Sequence, residues 1–297
     1  MRVLITGASG FIGLALSNNL ADSEFKVMAI ARSIPVKSHN SITWIKSDLN
    51  SVENYIKEII SFKPEVLIHL AWQDIPDFSL KKSLHNLNQS TKFISFISEI
   101  ESCKKILISG SCLEYGNFQG RCLHSDIALP TNFFTLAKHS LRLWAEMITN
   151  EKSISLGWLR LFYVYGPGQR QDSLIPTIFK CLLDEKVLEV RNPYNANDYI
   201  FIDDVIDAFK IATYTPFESG IFNIGSGVST SALEVCKYAE KLILNSSTLS
   251  QKIEKSFQSL DSEINFWADI TNCEKDLKWS PKVSLEEGIE RTWRHLT

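Results

Sequence analysis

The chain has 297 residues, 44% of them apolar and 22% charged, which suits a globular protein with a sizeable core and excludes disorder and collagen-like repeats. Thirty-one Lys and Arg against thirty-four Asp and Glu leave a net charge of −3, so there is no electrostatic reason to expect a nucleic acid or an anionic membrane as partner. Apolar runs such as residues 66–72 are strand-sized, far short of the ~20 residues that cross a bilayer.

Short β-branched runs alternate with helical patterns and predict strands near 2–6, 25–31, 42–46, 65–71, 105–109 and 154–161. Nearly continuous apolar runs such as Val3-Leu4-Ile5, Val27-Met28-Ala29-Ile30 and Ile106-Leu107-Ile108 suit parallel strands covered by helices on both faces. The expected fold class is therefore α/β, a doubly wound parallel sheet of six strands. Between strands, Leu80, Leu84 and Leu87, then Phe93, Ile94 and Ile97, recur at helical spacing, as do Leu141, Trp144, Ala145 and Ile148 within 133–149. Beyond residue 165 the rhythm loosens, with Gly166-Pro167-Gly168, Asn192-Pro193 and a polar stretch near 245–264. This predicts a dinucleotide-binding domain over 1–165 and a smaller mixed lobe over 166–297, with some chain crossing between them.

Thr6-Gly7-Ala8-Ser9-Gly10-Phe11-Ile12-Gly13 joins the first strand to a helical pattern. Glycines there let the backbone turn sharply and approach a pyrophosphate, while the helix start offers free N–H groups and partial positive charge. Followed by further βα units, the loop predicts a Rossmann-type dinucleotide site. Where NAD-preferring sites place a carboxylate for the ribose 2′-OH, this chain reads Ile30-Ala31-Arg32-Ser33. Arg32 can pair with a 2′-phosphate, which favours NADP(H) over NAD(H). Asp48 is a candidate adenine contact or a turn former, and His69 is read as a packed core histidine rather than a catalyst. The six cysteines (Cys103, Cys112, Cys122, Cys181, Cys236, Cys273) show neither a C-x-x-C pair nor zinc-type spacing. With an opening apolar run too short for a signal peptide, they predict reduced thiols in a cytoplasmic protein with no metal site.

The sequence resembles the extended short-chain dehydrogenase/reductases, specifically the nucleotide-sugar epimerase/dehydratase/reductase family, nearly end to end. The resemblance is carried by the glycine loop, His69-Leu70-Ala71, residues 109–116 (SGSCLEYG), Lys138, residues 160–168 (RLFYVYGPG) and residues 201–205 (FIDDV). Residues 222–225 (FNIG) and 277–281 (LKWSP) add to it. It implies cofactor contacts at Gly7, Ser9, Gly10, Phe11, Ile12 and Gly13, then at Arg32, Asp48, Leu49, Leu70, Ala71, Lys138 and Phe162. It also implies a Ser/Thr, Tyr, Lys constellation with Tyr and Lys four residues apart on one helical face. In that arrangement the tyrosine exchanges the proton on the sugar oxygen, the lysine lowers the tyrosine pKa, and the hydroxyl holds the substrate oxygen.

Ser111 and Lys138 stand at the matching places, but Phe134 stands where the tyrosine would be. Three explanations are open: a tyrosine exchanged for phenylalanine in this chain, a natural enzyme whose proton comes from Ser111 or an ordered water, or a protein that keeps ligand binding without chemistry. The Asp-Glu pair that implies a 4,6-dehydratase is replaced by Cys112 and Leu113, and Leu113 cannot transfer protons; Cys112 is read as a packed small residue. With Arg32, this points to NADPH-dependent reduction of the 4-keto group of a nucleotide-linked 4-keto-6-deoxyhexose. The alternatives are an NAD(P)-dependent epimerase and a non-catalytic NADP(H)-binding regulator. For substrate the resemblance implies Ser111, Tyr163 and Asn197, the last standing where relatives clamp a phosphate with arginine; Arg191 or Arg170 are candidate substitutes. A homodimer through helices near 79–101 and 133–149 is expected by the same analogy.

Overall fold

The computed structural model describes residues 1–189, 192–257 and 264–296. The chain runs β1 (Arg2–Thr6), α1 (Phe11–Ala21), β2 (Lys26–Ala31), β3 (Thr43–Lys46), α2 (Ile56–Phe62), β4 (Val66–His69), α3 (Leu80–Ser98), β5 (Lys105–Ser111), β6 (Gly120–Cys122), α4 (Phe133–Glu151) and β7 (Ser155–Leu161). It continues through β8 (Tyr163–Tyr165), α5 (Leu174–Leu183), β9 (Ala196–Phe201), α6 (Ile202–Tyr214), β10 (Gly220–Ile224), β11 (Ser229–Ser231), α7 (Ala232–Leu244), α8 (Thr248–Ser256), β12 (Phe266–Ala268) and α9 (Leu285–Leu296).

Seven strands form a parallel sheet in the order β10-β7-β5-β4-β1-β2-β3. Neighbouring residues of one strand feed opposite cores. Val3 and Ile5 pack with the apolar faces of α5, α6 and α7, whereas Leu4 packs with Met28, Leu67, Ile106 and residues of α2, α3 and α4. A period of two with apolar residues on both sides is what a sheet sandwiched between helix layers requires. Strand order reverses between β1 and β4, which opens a crevice at their carboxyl ends, where Thr6 lies beside both Ile30 and His69.

Six strands sit close to their predicted positions, and a seventh, β10, enters from beyond residue 165 to pair with β7 through Gly220↔Gly157 to Ile224↔Leu161. Lys105, at the start of β5, ties this late arrival in place: its Nζ donates to the carbonyls of Ala212, Thr213 and Thr215 at the end of α6. Outside the main sheet, β8, β9 and β11 form one small sheet and β12 pairs with β6. Buried Asp198 of β9 holds them together, accepting from the N–H groups of Ser226, Gly227 and Ala268 and from the Ser226 hydroxyl. In the polar stretch near 245–264, α8 covers 248–256, while residues 258–263 lie outside the described residues.

Candidate active site

Two adjoining cavities open at the carboxyl edge of the sheet and share Gly7, Gly10, Leu70 and Trp72 in their walls. The smaller, about 170 Å³, reaches out to Arg32, Asp48 and Leu49; the larger, about 790 Å³, contains Ser111, Phe134 and Lys138. β4 ends at His69, two residues before its predicted end, so Leu70 to Trp72 are free to turn along both.

The glycine loop fits a dinucleotide pyrophosphate. Gly7 has φ +68° and so close a neighbour that a Cβ would sit 2.7 Å from the Ala71 nitrogen; at Gly13 a Cβ would sit 2.2 Å from the Gly7 carbonyl oxygen. α1 begins at Gly10 without a side-chain cap, so the N–H groups of Phe11, Ile12 and Gly13 have no intrahelical acceptor and carry the positive end of the helix dipole. Phe11, Ile12 and Gly13 line the larger cavity and Ser9 the smaller.

At the far end of the smaller cavity Arg32 is exposed, with no hydrogen bond or ion pair among the described residues. Asp48 is held by two carboxamides: Gln89 Nε2 donates at 2.9 Å and Gln73 Nε2 at 3.2 Å, while Leu49 packs beneath. Sequence reasoning missed Gln73 and Gln89. The signal was present in α3, where Ser83, Asn86, Gln89 and Ser90 are buried polar residues at helical spacing. His69 is buried, bonding Thr6 through Nδ1 and Ser90 through Nε2, and burial pushes its pKa down to about 3.

In the larger cavity Ser111 closes β5 and caps the turn that follows. Its Oγ accepts from the Leu113 N–H at 3.2 Å, and its own N–H donates to Glu114 Oε1 at 2.8 Å. Glu114 is fully buried and points inward, accepting also from Trp158 Nε1 and from Arg160 Nε. α4 starts at Asn132, whose side chain accepts from the Thr135 N–H, and this fixes Phe134 and Lys138 on the cavity side. Lys138 Nζ donates to the Ser109 carbonyl at 2.8 Å and lies 4.3 Å from the centre of the Trp72 ring. Burial lowers its pKa to about 8, against the opposing charge of Glu114. The Phe134 ring, 4% exposed, stacks on Phe78 at 4.6 Å and meets the edge of Trp72 at 5.5 Å. Neither Trp72 nor Phe78 was singled out from the sequence, because residues in a loop carry no period to announce a wall.

Phe162 is buried and Tyr163 faces Tyr199 and Phe266 at the lobe boundary, all but Phe266 lining the cavity. Arg170, between β8 and α5, donates from its guanidinium to the Ile75 carbonyl at 2.6 Å. Asn197 lies in β9 opposite Thr230 and outside the cavity walls, where Tyr199, two residues on, stands instead. Arg191 lies outside the described residues. Cys112 is packed with Tyr115, Cys122 and Phe162. Among the described residues no group of three or more His, Cys, Asp or Glu could hold a metal ion, and no helix is long and apolar enough to cross a membrane.

The NAD dependent epimerase/dehydratase family matches residues 3–225. The chain is 28% identical to a dTDP-4-dehydro-6-deoxyglucose reductase of Escherichia coli, over 97% of this chain and 95% of that protein. It is 24% identical to a UDP-glucuronate 4-epimerase of Thermodesulfobacterium geofontis, over 97% and 94%. Among solved structures, the UDP-glucuronic acid 4-epimerase of Bacillus cereus in complex with NAD is similar with a TM-score of 0.84 at 22% identity, covering 100% of this chain and 96% of that one.

Proposed function

The chain belongs to the NAD dependent epimerase/dehydratase family, whose members are oxidoreductase-type enzymes, and from that premise we propose that it reduces the 4-keto group of a nucleotide-linked 4-keto-6-deoxyhexose, using NADP(H). The observation that carries the reading is the inward turn of Glu114. The carboxylate beside Ser111 is committed to Ser111 N–H, Trp158 and Arg160, and the other carboxylate that lines the cavity among the described residues, Asp74, is ion-paired with Lys82, so neither is offered as acid or base for loss of water. What is left at the reacting end suits a single exchange of hydride and proton. Its aromatic walls, Trp72, Phe78 and Phe134, favour a sugar with a methyl at C6 over one with a carboxylate. A reductase among the relatives that acts on a 4-dehydro-6-deoxy sugar nucleotide supports the same reading.

Bound along Gly7 to Gly13, the cofactor supplies the hydride. Ser111 Oγ, still free to donate its proton, orients the substrate carbonyl. Lys138 holds its charge beside that oxygen and the nicotinamide ribose. Tyr163 and Arg170 receive the sugar and the diphosphate. Arg32 favours the 2′-phosphate of NADP(H) because it is unpaired and no carboxylate ends β2; the family's description and a solved neighbour with NAD favour NAD(H).

The test is NADPH absorbance with CDP-, dTDP-, GDP- and UDP-linked 4-keto-6-deoxy sugars, for the unaltered chain and for Phe134→Tyr, Ser111→Ala and Lys138→Ala. Stoichiometric NADPH oxidation by one panel member, reduced ~10²–10⁴-fold by either alanine, is expected. Epimerisation without net oxidation favours the epimerase reading, and binding without turnover even in Phe134→Tyr favours the regulator. We also place a homodimer contact on α4, whose Phe133, Leu136, Leu143, Trp144 and Met147 are exposed along one side; sedimentation as a monomer overturns it. With all six cysteines free, the reducing cytoplasm is the compartment proposed.

A further inference from the structure

We propose that Lys138 itself hands the proton to the O4 oxygen of the substrate, taking the part of the phenol that Phe134 lacks; this rests on the ketoreductase reading above. The Nζ ammonium has three N–H bonds. One is spent on the Ser109 carbonyl, and the charge rests over the Trp72 ring, an arrangement that fixes the head group without accepting its proton. A further N–H is left for the cavity that Lys138 lines together with Ser111 and Phe134.

The surroundings make this ammonium an acid. Two titratable groups face it from neighbouring elements: Glu114, in the turn after β5, and His69, at the end of β4. Glu114 forms no ion pair with Lys138, being bonded to Arg160 and Trp158, and His69 stays neutral between Thr6 and Ser90. Burial therefore dominates and brings Lys138 down to about 8, near working pH, where a general acid is most effective. Ser111 is poorly placed for this part: its Oγ accepts from Leu113 N–H and no base among the described residues touches it to restore a lost proton. In the step, C4 takes the hydride that the reduced nicotinamide supplies, an N–H bond of Lys138 breaks and an O–H bond forms at O4. Lys138 is left as a neutral amine and regains its proton from water.

The test has two parts. With the responsive substrate, kcat of the unaltered chain should fall tenfold per pH unit above about 8, because the ammonium is the required form. Lys138→Arg keeps the positive charge but cannot release a proton, and should lower kcat by ~10²–10⁴-fold, far more than it changes KM or NADPH binding. Adding Phe134→Tyr to Lys138→Arg should restore kcat, since a phenol beside a fixed charge can serve instead. Retention of kcat within tenfold by Lys138→Arg, or no recovery in a folded double variant, overturns the proposal. The second part needs no turnover: NMR titration of the Lys138 side chain in the NADPH-loaded protein should give a midpoint near 8. A midpoint at the ordinary lysine value of about 10.4 overturns the proposal. A midpoint near 8 with no panel member reduced counts for the lysine and against the ketoreductase reading.

Discussion

Around the smaller cavity the walls are main chain and carboxamides: the loop from Gly7 to Gly10, the turn at Leu70 and Ala71, and Gln73 and Gln89 gripping Asp48. Around the larger the walls are rings, with Phe134 between Phe78 and Trp72, and Tyr163 beside Tyr199. The two tolerate change differently. A backbone cradle has its shape fixed by the absence of side chains, so a Cβ at Gly7 or Gly13 meets peptide atoms that cannot move aside. A ring wall keeps its shape when a hydroxyl is removed, which is how Phe134 can occupy the place of a tyrosine while the cavity stays open.

The sharpest way to break this contrast is Gly13→Val. With a Cβ 2.2 Å from the Gly7 carbonyl oxygen, the loop and α1 cannot keep their separation, and NADPH binding measured by calorimetry is expected to vanish. Binding within tenfold of the unaltered chain would show that the loop is adjustable after all. Next comes Arg32→Ser at the open end of the same cradle. Losing a charged hydrogen bond to the 2′-phosphate should weaken NADPH by about 10- to 100-fold and leave NADH unchanged; equal effects on both cofactors would remove Arg32 from the selectivity argument. The smallest effect is expected from the ring wall itself. Trp72→Leu removes the face beneath the Lys138 charge, and a cation–π contact of about 0.5–2 kcal/mol translates into a kcat lowered by about tenfold. A loss as large as that of Lys138→Ala would mean that Trp72 holds the lysine in place rather than merely lining the cavity.

The same contrast explains what could be read from the sequence. Val3-Leu4-Ile5, Val27 to Ile30 and Ile106 to Ile108 announced buried parallel strands because composition alone encodes burial on both faces, and the glycine loop announced its turn because only glycine suits those backbone positions. Ser111 and Lys138 were found through the family resemblance, and they do line one cavity with Phe134. The collar of Trp72 and Phe78 was not legible, since it arises where a loop folds back onto α4 some sixty residues later in the chain. Nor was the inward turn of Glu114, which depends on Trp158 and Arg160 arriving on β7. Contacts between residues remote in sequence leave no local pattern to detect.

The late arrival of β10 bears on how the chain is made. During synthesis, β1 to β7 emerge and can pair before Gly220 exists, so the growing chain presents β7 as a bare edge through the whole of the stretch from β8 to α6. Its unpaired N–H and C=O groups are a template for another strand, whether from a neighbouring ribosome or from a second nascent chain. Once α6 has formed, Lys105 can grip its end and deliver residues 220–224 to that edge, so the staple shortens the search for the final pairing. Slowed translation between residues 165 and 220 would lengthen the time for which that edge stays bare.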